Sequence, residues 1–463
     1  MTQLFINARI PAGVNQTRPT DFLVEDGRFA WFSAAGRRRD ARPALDLGGA
    51  LVLPGVIDGH VHFDDPGYTW REDFATGTRA AAAGGVTCVA DMPCTSIPPV
   101  INGAALEAKL AVVAPKAHVD FLFWGGICAD LMAHDNAWKR YLRELAGAGA
   151  AAIKCYLHSG MAAFPALTPA QMETAAEACR ELGLPLGVHA EDHGIIAERE
   201  AKLRRDGADD WRAYLLSRPA EAEIRAVEQV IAAARRTGAH LHVVHLGSGD
   251  ALDRLGEAAR EGVPVTAETC PHYLAFATHH FPIMGSVLKT APPVKKEEDR
   301  RRLWWGLETG EISFVTTDHA AGLWPQEKQT GSFRTDYGGI PGTELMLPWL
   351  YSVGVQQGRI TLERLVELLS GGPARFFGVA DRKGALAPRH DADFVVLDDD
   401  WPWQVESVRL HNRNRYTPFE GWPLTARVRQ TWVRGRLVYD HATDSFPAPP
   451  GWGRLIRRGG RDG

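Results

Sequence analysis

The amino-acid sequence predicts a (β/α)₈ barrel, or TIM barrel, with a small composite β-sandwich domain that both ends of the chain build together. Short apolar runs alternate with helical stretches from about residue 51 onward, and β-type runs without helical periodicity flank that region on both sides. Ligand-type side chains also fall at the ends of the apolar runs. Alternation of this kind over roughly 250 residues is typical of parallel barrels, which keep their chemistry at the carboxyl ends of the strands.

The predicted domain boundaries follow these changes of pattern. Residues 1–52 are expected to supply the first part of the sandwich, residues 53–380 the barrel and residues 381–445 the second part of the sandwich. The Gly/Arg-rich tail within 446–463 is expected to be mobile. With 463 residues the chain is long enough for a barrel and an accessory domain.

The individual elements are predicted from local patterns. Two strands at 4–10 and 22–32, the second with a hairpin turn at Asp26-Gly27, open the chain. Eight barrel strands are predicted at 56–63, 86–90, 119–124, 151–156, 186–189, 240–245, 264–268 and 313–317. Helices are predicted at 73–83, 169–182, 220–237, 251–261 and 361–369. The last strand-like runs are 393–397, 428–433 and 434–439.

Composition and charge exclude several classes of function. The net charge is −4, from 52 basic and 56 acidic residues, which argues against a general binder of nucleic acid or of anionic membranes. The six cysteines form no C-x-x-C pair, so neither a structural zinc knuckle nor a disulfide framework is indicated. No apolar run approaches the ~20 residues of a membrane helix, and the start lacks the pattern of a secretion signal. A cytoplasmic protein is therefore expected.

The first candidate site lies in the stretch Gly55-Val56-Ile57-Asp58-Gly59-His60-Val61-His62. Residues two apart on a strand face the same way, so His60 and His62 are expected on one face. Two imidazoles on one face can begin a metal site. Taken alone, an H-x-H pair is as readily explained by two structural histidines.

Lys154 lies in an otherwise apolar strand, Ala151-Ala152-Ile153-Lys154-Cys155-Tyr156. Burial lowers the pKa of a lysine and favours the neutral amine, which can take up CO₂ to become a carbamate anion. The alternative is a lysine whose charged end extends to the barrel rim. The residues alone leave both interpretations open.

Three further candidates close predicted strands. His189 and His245 each end a strand, and Asp318 follows a third. His242 and His245 are three residues apart, so only one of them can face the barrel mouth. His245, nearer the carboxyl end, is the better candidate, and His242 is expected to be structural.

Several motifs resemble those of cyclic amidohydrolases in the amidohydrolase superfamily. Residues 54–62 (P-G-V-I-D-G-H-V-H) are similar to the stretch that opens the barrel there, and residues 153–160 (I-K-C-Y-L-H-S-G) to the strand with a modified lysine. The blocks D-M-P-C-T-S-I-P-P, E-T-C-P-H-Y-L and A-P-P look like those of the allantoinase, hydantoinase and dihydroorotase group, closest to allantoinases. The resemblance runs from about Leu51 to Tyr439.

The resemblance implies a site for two divalent metal ions. His60, His62 and Asp318 would hold one ion, His189 and His245 the other, and a carboxylated Lys154 would bridge them. Zinc is the first expectation, with cobalt, manganese or iron as alternatives. Asp318 would also accept a proton from water and pass it to the leaving nitrogen.

The same resemblance implies that a small cyclic amide or ureide is opened at a C–N bond. Allantoin is ranked first, hydantoins or dihydropyrimidines second, cyclic imides third and dihydroorotate last. Enzymes specific for dihydroorotate place an Arg where Asp64 stands and an Asn where Cys94 stands. Ser159, Ala291 and Gly339 are further expected substrate contacts. The alternative class is a non-catalytic assembly scaffold, and a homo-oligomer, dimer or tetramer, is expected in either case.

Overall fold

The computed structural model describes residues 2–37, 42–133 and 137–460, and its strands belong to a nine-stranded sheet, an eight-stranded sheet and a two-stranded ribbon. The strands are β1 (Thr2–Pro11), β2 (Thr17–Glu25), β3 (Arg28–Ala34), β4 (Ala44–Asp46), β5 (Leu51–Pro54), β6 (Val56–His62), β7 (Val86–Asp91), β8 (Asp120–Gly126), β9 (Ala152–Tyr156), β10 (Leu186–His189), β11 (Leu241–Val243), β12 (Val265–Thr269), β13 (Phe314–Val315), β14 (His319–Ala320), β15 (Phe394–Asp398), β16 (Trp403–Gln404), β17 (Pro423–Leu424), β18 (Arg427–Val433) and β19 (Arg436–Asp440).

The helices alternate with strands β6 to β13 and continue after β14. They are α1 (Phe74–Ala83), α2 (Gly103–Val113), α3 (Ala129–Ala133), α4 (Ala137–Ala148), α5 (Pro169–Glu181), α6 (His193–Arg205), α7 (Trp211–Ser217), α8 (Ala220–Thr237), α9 (Gly249–Arg260), α10 (Pro271–Ala275), α11 (Phe281–Met284), α12 (Glu297–Thr309), α13 (Met346–Leu350), α14 (Leu362–Val366) and α15 (Gly372–Phe376). Two π-helical turns, Tyr351–Val355 and Glu367–Gly371, continue α13 and α14.

The nine-stranded sheet closes into a barrel. Strands β6 to β12 pair in parallel in chain order, β13 adds to β12, and β14 adds to β6. Only residues 316–318 separate β13 from β14. One short segment therefore pairs with both ends of the sheet and acts as the eighth barrel strand. This is the predicted (β/α)₈ barrel, and each of its eight strand positions overlaps the range predicted from the sequence.

Local sequence signals set the helix ends. The side chain of Thr168 accepts the amide of Gln171, and the Gln171 side chain accepts the amide of Thr168, a capping box that starts α5 with Pro169 in its first turn. At the other end of a longer helix, α8 stops at Gly238, whose φ of 66° suits glycine. These signals explain why the predictions at 169–182 and 220–237 match α5 and α8 closely.

Strands from both ends of the chain form the eight-stranded sheet, in the order β19-β18-β15-β5-β1-β2-β3, with β4 on β1. Aromatic rings join its two halves: Phe5 packs 5.1 Å from Phe394 and 5.0 Å from Trp432, measured between ring centroids. The predicted composite sheet is therefore present. Its arrangement as a two-layer sandwich and the predicted domain boundaries stay predictions.

A buried ionic network ties the barrel to this sheet. The Lys383 ammonium lies 2.8 Å from an oxygen of Asp120, which begins β8, 3.2 Å from Asp391, and also bonds Asp393, which precedes β15. Arg434 forms a second ion pair with Asp120. The three carboxylates are close enough to hold a metal ion, but three cations, Lys383, Arg434 and Arg382, already pair with them.

Replacement of Lys383 by methionine is expected to lower the free energy of unfolding by about 3–5 kcal/mol, because it leaves buried carboxylates facing one another without their central cation. Urea denaturation measures this loss. The matched control is Lys202→Met, which breaks an exposed pair with Asp206 and should cost about 1 kcal/mol or less. Equal losses in the two variants would contradict the structural role of Lys383.

The C-terminal segment differs from the sequence expectation. Its middle is hydrogen-bonded along β8. The amide of Phe121 donates to the backbone carbonyl of Arg454 at 2.9 Å, and the amide of Ile456 donates to the carbonyl of Phe121 at 2.8 Å. Ile456 is buried, and the Arg434 guanidinium stacks 4.8 Å from the Trp452 ring. The Gly/Arg-rich composition suggests mobility, whereas these two apolar side chains hold the segment in place; residues 461–463 lie outside the described residues.

Over the described residues, no helix has the length and apolarity that crossing a bilayer requires.

Candidate active site

Three of the predicted ligands meet at the carboxyl end of the barrel. His60 and His62 project from the same face of β6, and both Nε2 atoms lie close to one Asp318 oxygen, at 3.1 and 3.3 Å. Asp318 reaches this position because β14, which follows it, pairs with the end of β6, and its backbone takes a positive φ of 48°. Ligand atoms of these three residues all lie within 4.8 Å of one another.

The second pair of predicted ligands lies beside the first group. Nδ1 of His189, at the end of β10, is 3.0 Å from Nε2 of His245, which follows β11 with a φ of 42°. The rings of His245 and His60 are 5.4 Å apart between centroids, so the two groups share one space. His242 instead bonds Glu268 and Thr266.

Lys154 is fully buried on β9, beside the β10 strand that carries His189. Its ammonium nitrogen finds no hydrogen-bond partner among the described residues. Burial lowers the pKa of Lys154, partly offset by the nearby Cys94, Asp318 and Glu268. A buried, unpartnered lysine of lowered pKa is the amine that carboxylation requires.

The donor set fits metal ions. Zinc–nitrogen distances of roughly 2.0–2.1 Å in a tetrahedral site put two ligand atoms roughly 3.3 Å apart, close to the 3.0–3.3 Å separations found here. Burial lowers the pKa of His60 and of His245 well below the usual value, so both imidazoles are neutral and can donate a lone pair. His60, His62, Lys154, His189, His245 and Asp318 could therefore hold two ions.

A cavity of about 450 Å³ opens over this group. His62, His189, His245 and Asp318 form part of its floor, and the predicted contacts Ser159 and Ala291 lie in its walls. Charged side chains, including Arg218, line it as well. A small polar ring has ample room next to the buried histidines.

Comparison with known proteins identifies the family. A sequence model of the amidohydrolase family matches residues 51–438. This chain belongs to the amidohydrolase family. The predicted resemblance is thereby confirmed.

Named relatives and solved structures agree with this family membership. An allantoinase from Streptomyces avermitilis is 39% identical over 444 residues, 96% of each chain, and one from Rubrobacter xylanophilus is 38% identical over 90% of this chain and 89% of its own. An L-hydantoinase (dihydropyrimidinase) from Arthrobacter aurescens superposes with a TM-score of 0.93 at 30% identity, over 99% of this chain and all of its own. The predicted class of enzyme, a hydrolase of cyclic amides, is confirmed.

Sequence reasoning missed the carboxylates that orient this amidohydrolase's histidines. Glu268 at the end of β12 lies 2.6 Å from His60 Nδ1, while His60 Nε2 has no hydrogen-bond partner among the described residues. Burial raises the pKa of Glu268 to about 8. Glu191 lies 2.8 Å from His189 Nε2 and also pairs with Arg218. Both stand at or just beyond a strand end, the signal that could have revealed them. Such partners fix ring orientation in metal sites.

Gly339, another predicted substrate contact, does not line the cavity that the described residues form. Gly339 is buried; its amide donates to Lys289 and its carbonyl accepts from Lys328 and Tyr416, so the neighbouring Gly338 lines the cavity instead. Both polar groups of Gly339 are thus used within the protein. This geometry therefore does not support a direct contact between substrate and the backbone of Gly339.

Asp64 and Cys94 lie beneath the cavity surface that the described residues form. The Cys94 sulfur is 3.8 Å from His62 Nδ1 and 3.1 Å from the Tyr156 hydroxyl. Burial raises the pKa of Asp64 to about 7, and the neighbouring His62 opposes this shift. Tyr156, which sequence reasoning treated only as an apolar strand residue, lines the cavity and stacks on His189. Asp64 and Cys94 can therefore affect substrates through these neighbours.

Proposed function

We propose that this enzyme hydrolyses allantoin, opening its hydantoin ring to allantoate. The observation that carries the proposal is the convergence of six donor side chains, four of which lie at the floor of one cavity and two of which are buried beside them, in a chain that matches allantoinases nearly end to end. Hydantoins and dihydropyrimidines are the second candidates, because the L-hydantoinase (dihydropyrimidinase) superposes over almost the whole chain.

We infer that two divalent ions, zinc first, occupy this floor. His60, His62 and Asp318 would hold one, and His189 and His245 the other, with a carboxylated Lys154 shared between them. When bound, the ions lower the pKa of water and polarise the amide carbonyl. Carboxylation joins CO₂ to the neutral lysine amine with release of one proton, and the resulting anion provides two oxygen donors.

The chain's own residues supply the proton transfers. Asp318 is the proposed base: one of its oxygens lies between the Nε2 atoms of His60 and His62, at the cavity floor. It would take the proton of the attacking water and deliver it to the ring nitrogen as the C–N bond breaks. Glu268 and Glu191 hold His60 and His189 in fixed tautomers. Ser159 and Ala291 in the walls would contact the ring.

The expected ranking of substrates is allantoin first, 5-substituted hydantoins and dihydropyrimidines second, cyclic imides third and dihydroorotate last. Dihydroorotate carries a carboxylate, and this chain has Asp64 where enzymes specific for dihydroorotate place an arginine, so the paired arginine–carboxylate contact is missing. Relative kcat/KM values at one pH and metal loading measure the ranking, with a gap of at least about 10-fold between allantoin and dihydroorotate.

Two outcomes would contradict these proposals. Dihydroorotate as the fastest substrate would refute the argument from Asp64 and Cys94. Absence of hydrolysis of all four substrate classes by the metal-loaded protein would favour the scaffold alternative. Cytoplasmic location and a dimeric or tetrameric state remain proposals as well, and light scattering measures the latter.

A further inference from the structure

One wall of the cavity comes from a segment that has no regular helix or strand. Residues 333–339, here called the entrance segment, have no helix or strand, and residues 334–338 line the cavity. Irregular backbone leaves carbonyl groups that need donors. In this segment five of the seven carbonyls accept from just two lysine side chains.

The first of these lysines, Lys328, is fully buried. Its nitrogen donates to the carbonyls of Tyr337 and Gly339, both at 2.9 Å, and of Lys289 at 3.3 Å. An ammonium group has three N–H donors, so the three carbonyls use all of them. A neutral amine would instead turn its lone pair toward one carbonyl, and the geometry therefore favours the charged form.

Burying the ammonium group of Lys328 carries a desolvation cost. Burial and the nearby charge of Lys289 lower the pKa of Lys328 well below that of a solvated lysine, and Asp336 opposes this shift. Tyr416 adds a further donor at the same place, since its hydroxyl lies 3.2 Å from the Gly339 carbonyl. A methionine would fill the same volume without the desolvation cost, so a specific role for the charge is indicated.

The second lysine, Lys289, connects the entrance segment to another wall. Its side chain donates to the carbonyls of Phe333, Arg334 and Asp336, while its own carbonyl accepts from the amide of Gly339 at 2.9 Å. Lys289 and the adjacent residues Thr290 and Ala291 also line the cavity. Hydrogen bonds therefore join the two walls directly.

The entrance segment also reaches the catalytic strand. The amide of Ala320, two residues after Asp318, donates to the carbonyl of Ile340 at 3.1 Å. A Cβ atom at Gly339 would lie 2.3 Å from the Ala320 carbonyl, so the segment can only pack this closely because glycine is present. A shift of the segment would change the distance between the bound ring and Asp318.

We propose that Lys328 is a positioning residue for substrate, its ammonium ion holding the backbone of Tyr337 and Gly339 as a fixed wall of the cavity. The inference rests on the proposed function, because it concerns the cavity in which the cyclic amide binds. Lys328 itself does not touch the substrate; it acts through the backbone that it holds.

The test compares Lys328→Met, which keeps the side-chain volume, with the wild-type holoenzyme. KM is expected to rise about 10-fold or more while kcat changes by less than about 3-fold, because the wall binds the ground state and the transition state alike. Amide hydrogen exchange of residues 333–339 should become faster, and the metal content should stay unchanged. Tyr416→Phe should shift KM in the same direction, by less.

A second variant separates the charge from packing. In Lys328→Ala the carbonyls are left without their donor, and added ammonium chloride should lower KM again, while tetramethylammonium chloride, which has no N–H, should not. Lys383→Met, assayed below its unfolding temperature, serves as the matched buried lysine and should leave KM unchanged. A folded Lys328 variant with normal KM and exchange, or without a specific response to ammonium, would overturn the inference.

The two proposals fail in distinguishable ways. If the wild-type protein hydrolyses no cyclic amide, the proposed function fails, yet hydrogen exchange still tests whether Lys328 holds the entrance segment. If the wild type is active and only the Lys328 results disagree, the proposed function stands and the positioning role is wrong.

Discussion

Replacement of Lys154 by alanine is expected to leave the protein folded but to remove most of its metal and its hydrolytic activity. The side chain is buried and has no hydrogen-bond partner among the described residues, so its loss breaks no hydrogen bond of the barrel. Losing an outer partner of a metal ligand costs 10- to 100-fold, and losing a bridging ligand should cost more than about 100-fold in kcat/KM. Elemental analysis should find up to two ions per wild-type chain and fewer in the variant.

Short carboxylic acids provide the complementary experiment. Formate, acetate or propionate fits the space that the lysine side chain vacates and supplies a carboxylate of the same charge as a carbamate. Partial recovery of metal and turnover with added acid is therefore expected. The control, Lys202→Ala, alters an exposed lysine and should behave as wild type. Wild-type-like turnover of Lys154→Ala without any acid would show that Lys154 is not the bridge.

The second large effect is expected for Asp318→Asn, which should lower kcat by about 10² to 10⁴-fold while the fold persists. Asparagine has nearly the same shape and keeps an oxygen toward His60 and His62, but it cannot accept a proton from water. Rates across a range of pH, circular dichroism and metal content together measure the change. Metal content matters because the same carboxylate is also a proposed ligand.

The comparison variant is Asp206→Asn, at the exposed end of α6, where less than a twofold change is expected. A near-normal rate for Asp318→Asn over the whole pH range would assign the proton transfer to another group. Loss of metal together with activity would leave the ligand role intact and require a rescue experiment to separate the two roles.

The sequence predicts much of the fold and of the site because both depend on local patterns. Apolar runs locate the eight barrel strands. Because the carboxyl ends of parallel barrel strands meet at one mouth, the sequence already groups His189, His245 and Asp318. Parity on β6 predicts that His60 and His62 lie on one face, and both side chains reach Asp318. The same argument does not apply to His242 and His245, because β11 ends at Val243 and His245 has a positive φ of 42°.

Other features depend on contacts that no local pattern encodes. Glu268 contacts the ring of His60, which lies 208 residues away in the chain. Lys328 donates to carbonyls of a segment whose sequence has no periodicity that would predict its structure. Asp64 follows His62 by two residues and should share its face, yet it is buried, because the chain leaves the strand after His62 and Asp64 takes a positive φ of 49°. In the same way, composition alone could not show that Trp452 and Ile456 would anchor the tail.

The sheet shared by both termini has a consequence for synthesis of the chain. Strand β5 pairs with β15, whose residues are about 340 positions later, so its hydrogen-bonding edge must wait for nearly the whole chain to leave the ribosome. At 5–20 residues per second this wait is on the order of tens of seconds. Throughout it, Leu51–Pro54 presents an apolar edge of the kind that recruits other nascent chains. Polypeptides that terminate before residue 394 never cover that edge and should therefore be the species that chaperones and proteases encounter most.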